Sequence, residues 1–259
     1  MSRAPSKPKP DESLIDALPT PSTGYLNRSD APFHSLIFLL PFVILYEVGT
    51  KLFAVDPVTL GEHRIIAFNL LSDFFHLFGA TGKYLPPLAV VGILLAWHIA
   101  RNDPWKIRPG TLTGMAVESV VFALPLVVLG RVFIVFWQTH IPLMTGMGDW
   151  KSMIVLSIGA GIYEELIFRL IAFTVMNLIL VDLLGMPKGR ALLLMVVISS
   201  LAFSLYHYLG DEAFAWQSFA FRTAAGVYFG VIFVTRGFGI TAGAHAVYDI
   251  FIVSMKALA

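Results

Sequence analysis

Long apolar runs recur along the chain after residue 32 and predict a set of membrane-spanning helices. A helix that crosses a bilayer needs about 20 mostly apolar residues. The stretches that fit are residues 33–53, 84–100, 111–130, 152–182, 190–209, 214–235 and 239–256. The fourth is too long for one straight crossing, so we expect it to tilt, break or extend beyond the bilayer. The pattern predicts an all-α, polytopic transmembrane helix bundle with seven spans, or eight as the alternative.

Residues 64–79 carry a weaker apolar pattern, because Asn69, Asp73 and His76 interrupt it. Polar groups at this spacing favour a helix that lies at the membrane interface or re-enters the bilayer over one that crosses it. This segment is therefore not counted among the spans.

Residues 1–32 are polar and rich in proline, and no apolar run precedes the first predicted span. A signal peptide needs such a run, so none is expected here. The composition is that of a disordered tail. We expect a tail over residues 1–32 and one transmembrane domain over residues 33–259.

Composition supports the membrane assignment and excludes several kinds of site. Hydrophobic residues make up 57% of the chain and charged residues only 14%, whereas a soluble domain carries about 25% charged residues. The net charge of +1 gives no field that would attract nucleic acid. Cysteine is absent from the sequence, which excludes disulfides and thiolate chemistry.

Lysine and arginine are modestly enriched at one end of the alternating spans, and that end is expected to be cytoplasmic. If the source is bacterial, the membrane would be the plasma membrane. The bilayer is the one partner that composition implies, and the sequence leaves the oligomeric state open.

The fourth span contains the densest cluster of charge, in the segment G-I-Y-E-E-L-I-F-R. Glu165 and Arg169 are four residues apart, which favours an ion pair within the helix. Glu164 points about 100° away from Glu165, so it faces elsewhere without an obvious local partner. A desolvated carboxylate of this kind suits a general base. The alternative is that both glutamates are structural and neutralised by Arg169 and another helix.

Two later spans add histidines at helical spacing. The fifth ends with F-S-L-Y-H, which puts Phe203 and His207 on one face. By itself such a histidine is more often interfacial than catalytic. The seventh contains G-A-H-A-V-Y-D, in which His245 and Asp249 share a face and the carboxylate can orient the imidazole. Buried pairs of this kind are expensive in a membrane and point to a functional site.

The ordered set E-E-x-x-x-R, F-x-x-x-H and H-x-x-x-D over residues 152–255 resembles the CPBP family of intramembrane proteases. This family includes the type 2 CAAX prenyl endopeptidases and the bacteriocin-processing Abi proteins. The resemblance implies that Glu164 and His207 activate a water molecule. It also implies that His245 and Asp249 stabilise the oxyanion. The supporting residues it implies are Glu165, Arg169 and Phe203.

Two positions depart from the family pattern. Leu170 stands where a glycine often follows the motif arginine, and Asp249 stands where an amide is commoner. An ionised aspartate would repel an oxyanion, so Asp249 must be protonated or must act by orienting His245.

The use of a metal stays open in the sequence. One carboxylate and two histidines, namely Glu164, His207 and His245, would suffice for a catalytic Zn²⁺. The same groups can activate water without a metal. The zincin motif H-E-x-x-H does not occur in the sequence.

The sequence therefore predicts an intramembrane endopeptidase, with a metalloprotease as one form of it. Its substrate would be a membrane-associated peptide or protein, such as a prenylated CAAX-type C-terminus or a leader peptide. The alternatives are a proton-coupled small membrane transporter, in which the same groups form a relay, and a non-catalytic membrane scaffold.

Overall fold

The computed structural model describes residues 24–56, 59–137, 149–210 and 212–258. In these residues the regular structure is helical, apart from one bridge between Val55 and Glu62. The helices are α1 (Tyr25–Ser29), α2 (Pro32–Phe53), α3 (Ile66–Leu77), α4 (Leu85–Arg101), α5 (Pro109–Trp137), α6 (Trp150–Leu183), α7 (Lys188–Leu209), α8 (Trp216–Arg236) and α9 (Phe238–Ala257). The predicted all-α class is confirmed.

Each of the seven predicted spans corresponds to a helix in the described part of the chain. Six of these helices are long and apolar enough to cross a membrane, namely α2, α5, α6, α7, α8 and α9. Helix α4 has 17 residues, at the lower end of the range of about 17–25 for a spanning helix. Helix α3 has 12 residues, too few to cross a hydrocarbon core about 30 Å thick. The protein is therefore a multi-pass integral membrane protein.

Helix α6 stays unbroken over its 34 residues. A regular α-helix of that length would be about 50 Å long, well beyond the hydrocarbon core. Its turns widen to π-helix at Ala160–Glu164, Leu166–Ile171 and Leu178–Leu183. Such π turns occur frequently at functional sites. Two of them flank Glu165, the centre of the charged cluster.

Helix α9 lies at the centre of the bundle and packs on α2, α5, α6 and α8. Small residues on both helices let α6 approach α9 closely. A Cβ atom on Gly161 would lie 2.6 Å from the carbonyl oxygen of Ala242 and 2.7 Å from the backbone nitrogen of Ala246. A glycine at this position therefore brings the glutamates of α6 within reach of His245.

We expect Gly161→Ala to lower the free energy of unfolding by about 1–3 kcal/mol, because the added methyl group would push the backbone of α9 away. The free energy can be measured by titrating the protein in mixed micelles with SDS. Gly92→Ala is the matched control, since a Cβ atom there meets nothing within 4 Å. In the control the change should stabilise α4 by about 0.5–1 kcal/mol. Equal stability of Gly161→Ala and the wild type would refute this account of the helix contact.

The ordered structure begins earlier than the sequence predicted. Residues 1–23 of the predicted tail lie outside the described residues, but α1 falls within the range 1–32. Polar contacts hold it against the bundle. Arg28 donates to the Thr111 hydroxyl at 3.2 Å, and Arg236 donates to the Ser29 hydroxyl at 3.0 Å. These contacts join residues far apart in the chain, so the local composition did not reveal them.

Candidate active site

A cavity of about 500 Å³ lies between α6, α7, α8 and α9, and the segment leading into α3 closes one side of it. The four residues predicted to be catalytic all line this cavity, namely Glu164, His207, His245 and Asp249. Volumes of about 300–1,000 Å³ are typical of ligand pockets. The geometry therefore brings the three sequence motifs to one place.

Glu164 presents one carboxylate oxygen to the cavity and has the other held by a tyrosine. The side chain is buried. Its Oε1 accepts a hydrogen bond from the Tyr206 hydroxyl at 2.5 Å. Its Oε2 lies 4.0 Å from Nε2 of His207 and 3.7 Å from Nε2 of His245. Within the described residues Oε2 has no direct hydrogen-bond partner, so it is the oxygen available for chemistry.

The orientation of His207 follows from a contact within its own helix. Nδ1 lies 2.7 Å from the carbonyl oxygen of Phe203. A carbonyl oxygen only accepts, so Nδ1 carries the proton and donates it to this bond. In the neutral ring Nε2 then holds a lone pair, and this nitrogen faces Glu164. The spacing of four residues that the sequence singled out thus fixes the tautomer.

His245 lies between carboxylates on both sides of its ring. Nδ1 donates to Oε1 of Glu165 at 2.8 Å. Nε2 lies 3.5 Å from Oδ2 of Asp249, one turn further along α9. The ring stacks on Phe229 with a centroid separation of 4.5 Å. These contacts fix the orientation of the imidazole ring, and Nε2 faces the cavity.

Glu165 and Arg169 lie behind the cavity and are fully buried. Nε of Arg169 is 3.2 Å from Oε2 of Glu165, so the predicted ion pair is present. Nη2 of Arg169 donates to the Gly226 carbonyl at 3.0 Å, and the guanidinium group lies over the Phe203 ring at 4.6 Å. The pair therefore ties α6 to α7 and α8, and it positions the carboxylate whose other oxygen, Oε1, binds His245.

The two adjacent glutamates reach the same imidazole, although sequence reasoning placed them on different faces. Glu165 contacts Nδ1 of His245, and Glu164 faces Nε2. The π turns on both sides of Glu165 change the angle between successive side chains from that of a regular α-helix. The roles of the two glutamates still differ, because they face opposite nitrogens of the His245 ring.

Sequence reasoning missed several polar residues of the cavity wall, among them Tyr206, Arg64 and Arg222. Tyr206 directly precedes His207 within F-S-L-Y-H, and that position was the available signal. Arg64 and Arg222 each pair with carboxylates, at Glu47 and Glu212 respectively. The apolar pattern around Arg64 had indicated only an interfacial or re-entrant segment.

Arg64 forms a nearly buried cluster with two glutamates at the edge of the cavity. It donates to both oxygens of Glu47, at 2.7 and 3.0 Å, and it also pairs with Glu62. Burial alone would raise the pKa of the Glu62 carboxyl, but the hydrogen bond and charge of Arg64 outweigh it and lower that pKa below its usual value. The resulting stabilisation is present at neutral pH and is lost as the pH falls through the lowered value.

The residues named for a metal do not fit one as they are arranged. Glu164, His207 and His245 are ligand types that zinc accepts. With metal–ligand bonds of about 2.0–2.2 Å, tetrahedral ligands lie about 3.3–3.6 Å apart, whereas the separations from Glu164 are 4.0 and 3.7 Å. In the described ranges no group of three or more His, Asp or Glu could hold a metal ion. We therefore assign no step to a metal.

Comparison with known protein families matches residues 146–251 to the family described as type II CAAX prenyl endopeptidase Rce1-like. No significant match is found among curated proteins or among solved structures. The matched range includes the three motifs and every residue predicted for the site. It begins just before α6 and ends within α9. Residues 146–251, which supply most of the cavity wall, are thus similar to the Rce1-like family of type II CAAX prenyl endopeptidases.

Proposed function

We propose that the protein is an intramembrane endopeptidase that hydrolyses a peptide bond with a water molecule activated by Glu164 and His207. One observation carries this proposal. Oε2 of Glu164 and Nε2 of His207 lie 4.0 Å apart on the wall of one cavity. Tyr206 holds the other oxygen of the carboxylate, and the Phe203 carbonyl holds the other nitrogen of the ring. Both acceptors are thus oriented before substrate binds.

The separation of these two atoms suits a shared water molecule. A distance of 4.0 Å is too long for a direct hydrogen bond but fits two groups that bind the same water. The water would donate one hydrogen to Glu164 and the other to His207, which leaves a lone pair free to attack the substrate carbonyl carbon. On attack a C–O bond forms, Glu164 takes the proton as general base, and the carbonyl oxygen becomes an oxyanion.

His245 would stabilise this oxyanion by donating from Nε2–H. This requires a proton on both ring nitrogens, and Glu165 already holds Nδ1–H at 2.8 Å. Asp249, at 3.5 Å from Nε2, acts by orienting the ring, because its own negative charge would repel an oxyanion. When the intermediate collapses, the C–N bond breaks and the proton on Glu164 passes to the leaving amine. The products are a new C-terminal carboxylate and a free amine.

The substrate we propose is a membrane-associated peptide, with a prenylated CAAX-type C-terminus first and a leader peptide second. Apolar side chains including Leu156, Met153 and Phe221 share the cavity wall with the polar cluster. Such a wall accommodates an aliphatic chain or apolar side chains beside the reacting bond. The family description supports the CAAX-type substrate.

The purified protein in liposomes can be offered three peptides: a farnesylated CAAX-type peptide, its unmodified form and a leader-type peptide. We expect mass spectrometry to detect cleavage of the farnesylated peptide. If only the leader-type peptide is cleaved, the proposed endopeptidase activity stands, and the proposed substrate changes to a leader peptide. If a folded protein cleaves none of them and instead moves protons across the bilayer, the proposal fails in favour of a carrier.

We expect Tyr206→Phe to lower kcat about 10- to 100-fold with little change in KM. Hydrogen bonds to charged groups contribute about 1.5–3 kcal/mol, and this one holds the general base in position. Steady-state kinetics on the peptide that the wild type cleaves would measure the split. Tyr228→Phe is the control, because its hydroxyl binds the Phe122 carbonyl at 2.8 Å, and neither residue lines the cavity. A Tyr206→Phe enzyme with the kcat of the wild type would exclude this positioning role.

A further inference from the structure

Arg222 lies on the cavity wall, two turns into α8, and pairs with a carboxylate from its own chain. Its Nη1 and Nη2 donate to the two oxygens of Glu212, each at 2.8 Å. The planar guanidinium group matches a carboxylate in this two-point geometry better than it matches any neutral group. Glu212 belongs to the loop between α7 and α8 and lines the same cavity.

The Glu212 carboxylate is the more exposed partner of this pair, and it also accepts a hydrogen bond from the Ser218 hydroxyl at 3.1 Å. Its side chain is 27% exposed, twice the 13% of Arg222, and it lies on a loop rather than within a helix. A second carboxylate could therefore take its place while Glu212 turns towards solvent. The exchange leaves Arg222 paired throughout, so it avoids the large cost of a buried, unpaired charge.

The other arginine of the cavity wall cannot serve in this way. Nε, Nη1 and Nη2 of Arg64 all donate to carboxylates, those of Glu47 and Glu62. Its guanidinium group also lies over the rings of Tyr46 and Phe68, at 5.1 and 4.5 Å. Two carboxylates and two rings hold it in place, whereas Arg222 has one carboxylate partner in its hydrogen bonds and lies over one ring, that of Tyr208, at 5.8 Å.

Arg222 lies on the same helix as the aromatic ring that packs on His245. Phe229, on which the His245 ring stacks, follows Arg222 by seven residues and therefore lies on nearly the same face. Two turns of helix correspond to about 10 Å along the axis. Arg222 thus lies about two turns along α8 from the ring on which His245 stacks.

We propose that Arg222 determines specificity by binding the C-terminal carboxylate of the substrate in place of Glu212. The assignment rests on the proposed endopeptidase function. A peptide with a free C-terminal carboxylate could then contact Arg222 while its reacting bond lies at the polar cluster of the same cavity. A peptide with a C-terminal amide would not displace Glu212, so it would gain no ion pair with Arg222.

Peptides that differ only in a C-terminal acid or amide test this assignment. We expect the wild type to favour the acid several-fold in kcat/KM, because one charge-assisted pair replaces another and only the difference between them is gained. Arg222→Gln should bring this ratio close to one, and Arg222→Lys should give an intermediate value. Arg190→Gln is the control, since Arg190 is exposed at the opposite end of α7. Its ratio should equal that of the wild type.

Glu212→Gln supplies a second test, which can still be carried out if Arg222→Gln does not fold. The neutral amide competes less well for the guanidinium group, so KM for the acid peptide should fall several-fold. An unchanged or higher KM overturns the proposal. Equal cleavage of acid and amide by the wild type also overturns it and leaves the endopeptidase function standing. If the wild type cleaves neither peptide, the proposed function fails and this inference fails with it.

Discussion

Glu164→Gln should lower kcat about 10²- to 10⁴-fold and leave the protein folded. The amide keeps the shape of the carboxylate, and its oxygen can still accept the hydrogen bond from Tyr206. It cannot take a proton from water, and this range is the contribution of a general base. KM should change little, because glutamine has the same shape as glutamate. Kinetics on a cleaved peptide, with unfolding temperature as the check on folding, would measure the effect.

Asp73→Asn is the matched control for this change, because Asp73 is an exposed carboxylate on α3. Its kcat should equal that of the wild type. If Glu164→Gln kept the wild-type kcat, another group would have to be the base, and the proposed water site would be wrong.

Arg169→Met should lower the free energy of unfolding by about 3–5 kcal/mol, the cost of leaving a buried charge without its partner. The variant removes the cation 3.2 Å from Glu165, and both side chains are fully buried. SDS titration in mixed micelles would measure the loss. Arg131→Met, at an exposed position on α5, should change the stability far less.

The double variant Glu165→Gln/Arg169→Met separates stability from activity. With both charges removed, much of the lost stability should return, since no unpaired charge is left. Activity should stay low, because a neutral amide orients and charge-balances His245 less well than the carboxylate at 2.8 Å. If the single Arg169→Met variant is as stable as the wild type, the pair does not tie the helices together.

The sequence predicted the helices well because bilayer thickness sets the length of an apolar run. The run 239–256 became Phe238–Ala257, and the run 214–235 became Trp216–Arg236. It predicted the ion pair of Glu165 with Arg169 because a spacing of four brings side chains together within one helix. These are local properties, and a single sequence contains them.

The contacts between helices could not be predicted in the same way. Tyr206 binds Glu164 across 42 positions of the chain, and no periodicity reports such a pairing. The π turns in α6 let both glutamates reach His245, and an ordinary helical wheel does not include them. Arg222 and Glu212 lie near a loop, where composition gives little signal. Tertiary packing decides each of these features.

The most direct test of the central claim is mass spectrometry of a farnesylated CAAX-type peptide incubated in ¹⁸O-labelled water with the liposome-embedded protein. The account predicts two fragments with the wild type, and ¹⁸O in the new C-terminal carboxylate. With Glu164→Gln it predicts almost entirely intact peptide. Intact peptide with a folded wild type, or equal cleavage by the two proteins, would contradict water activation by Glu164.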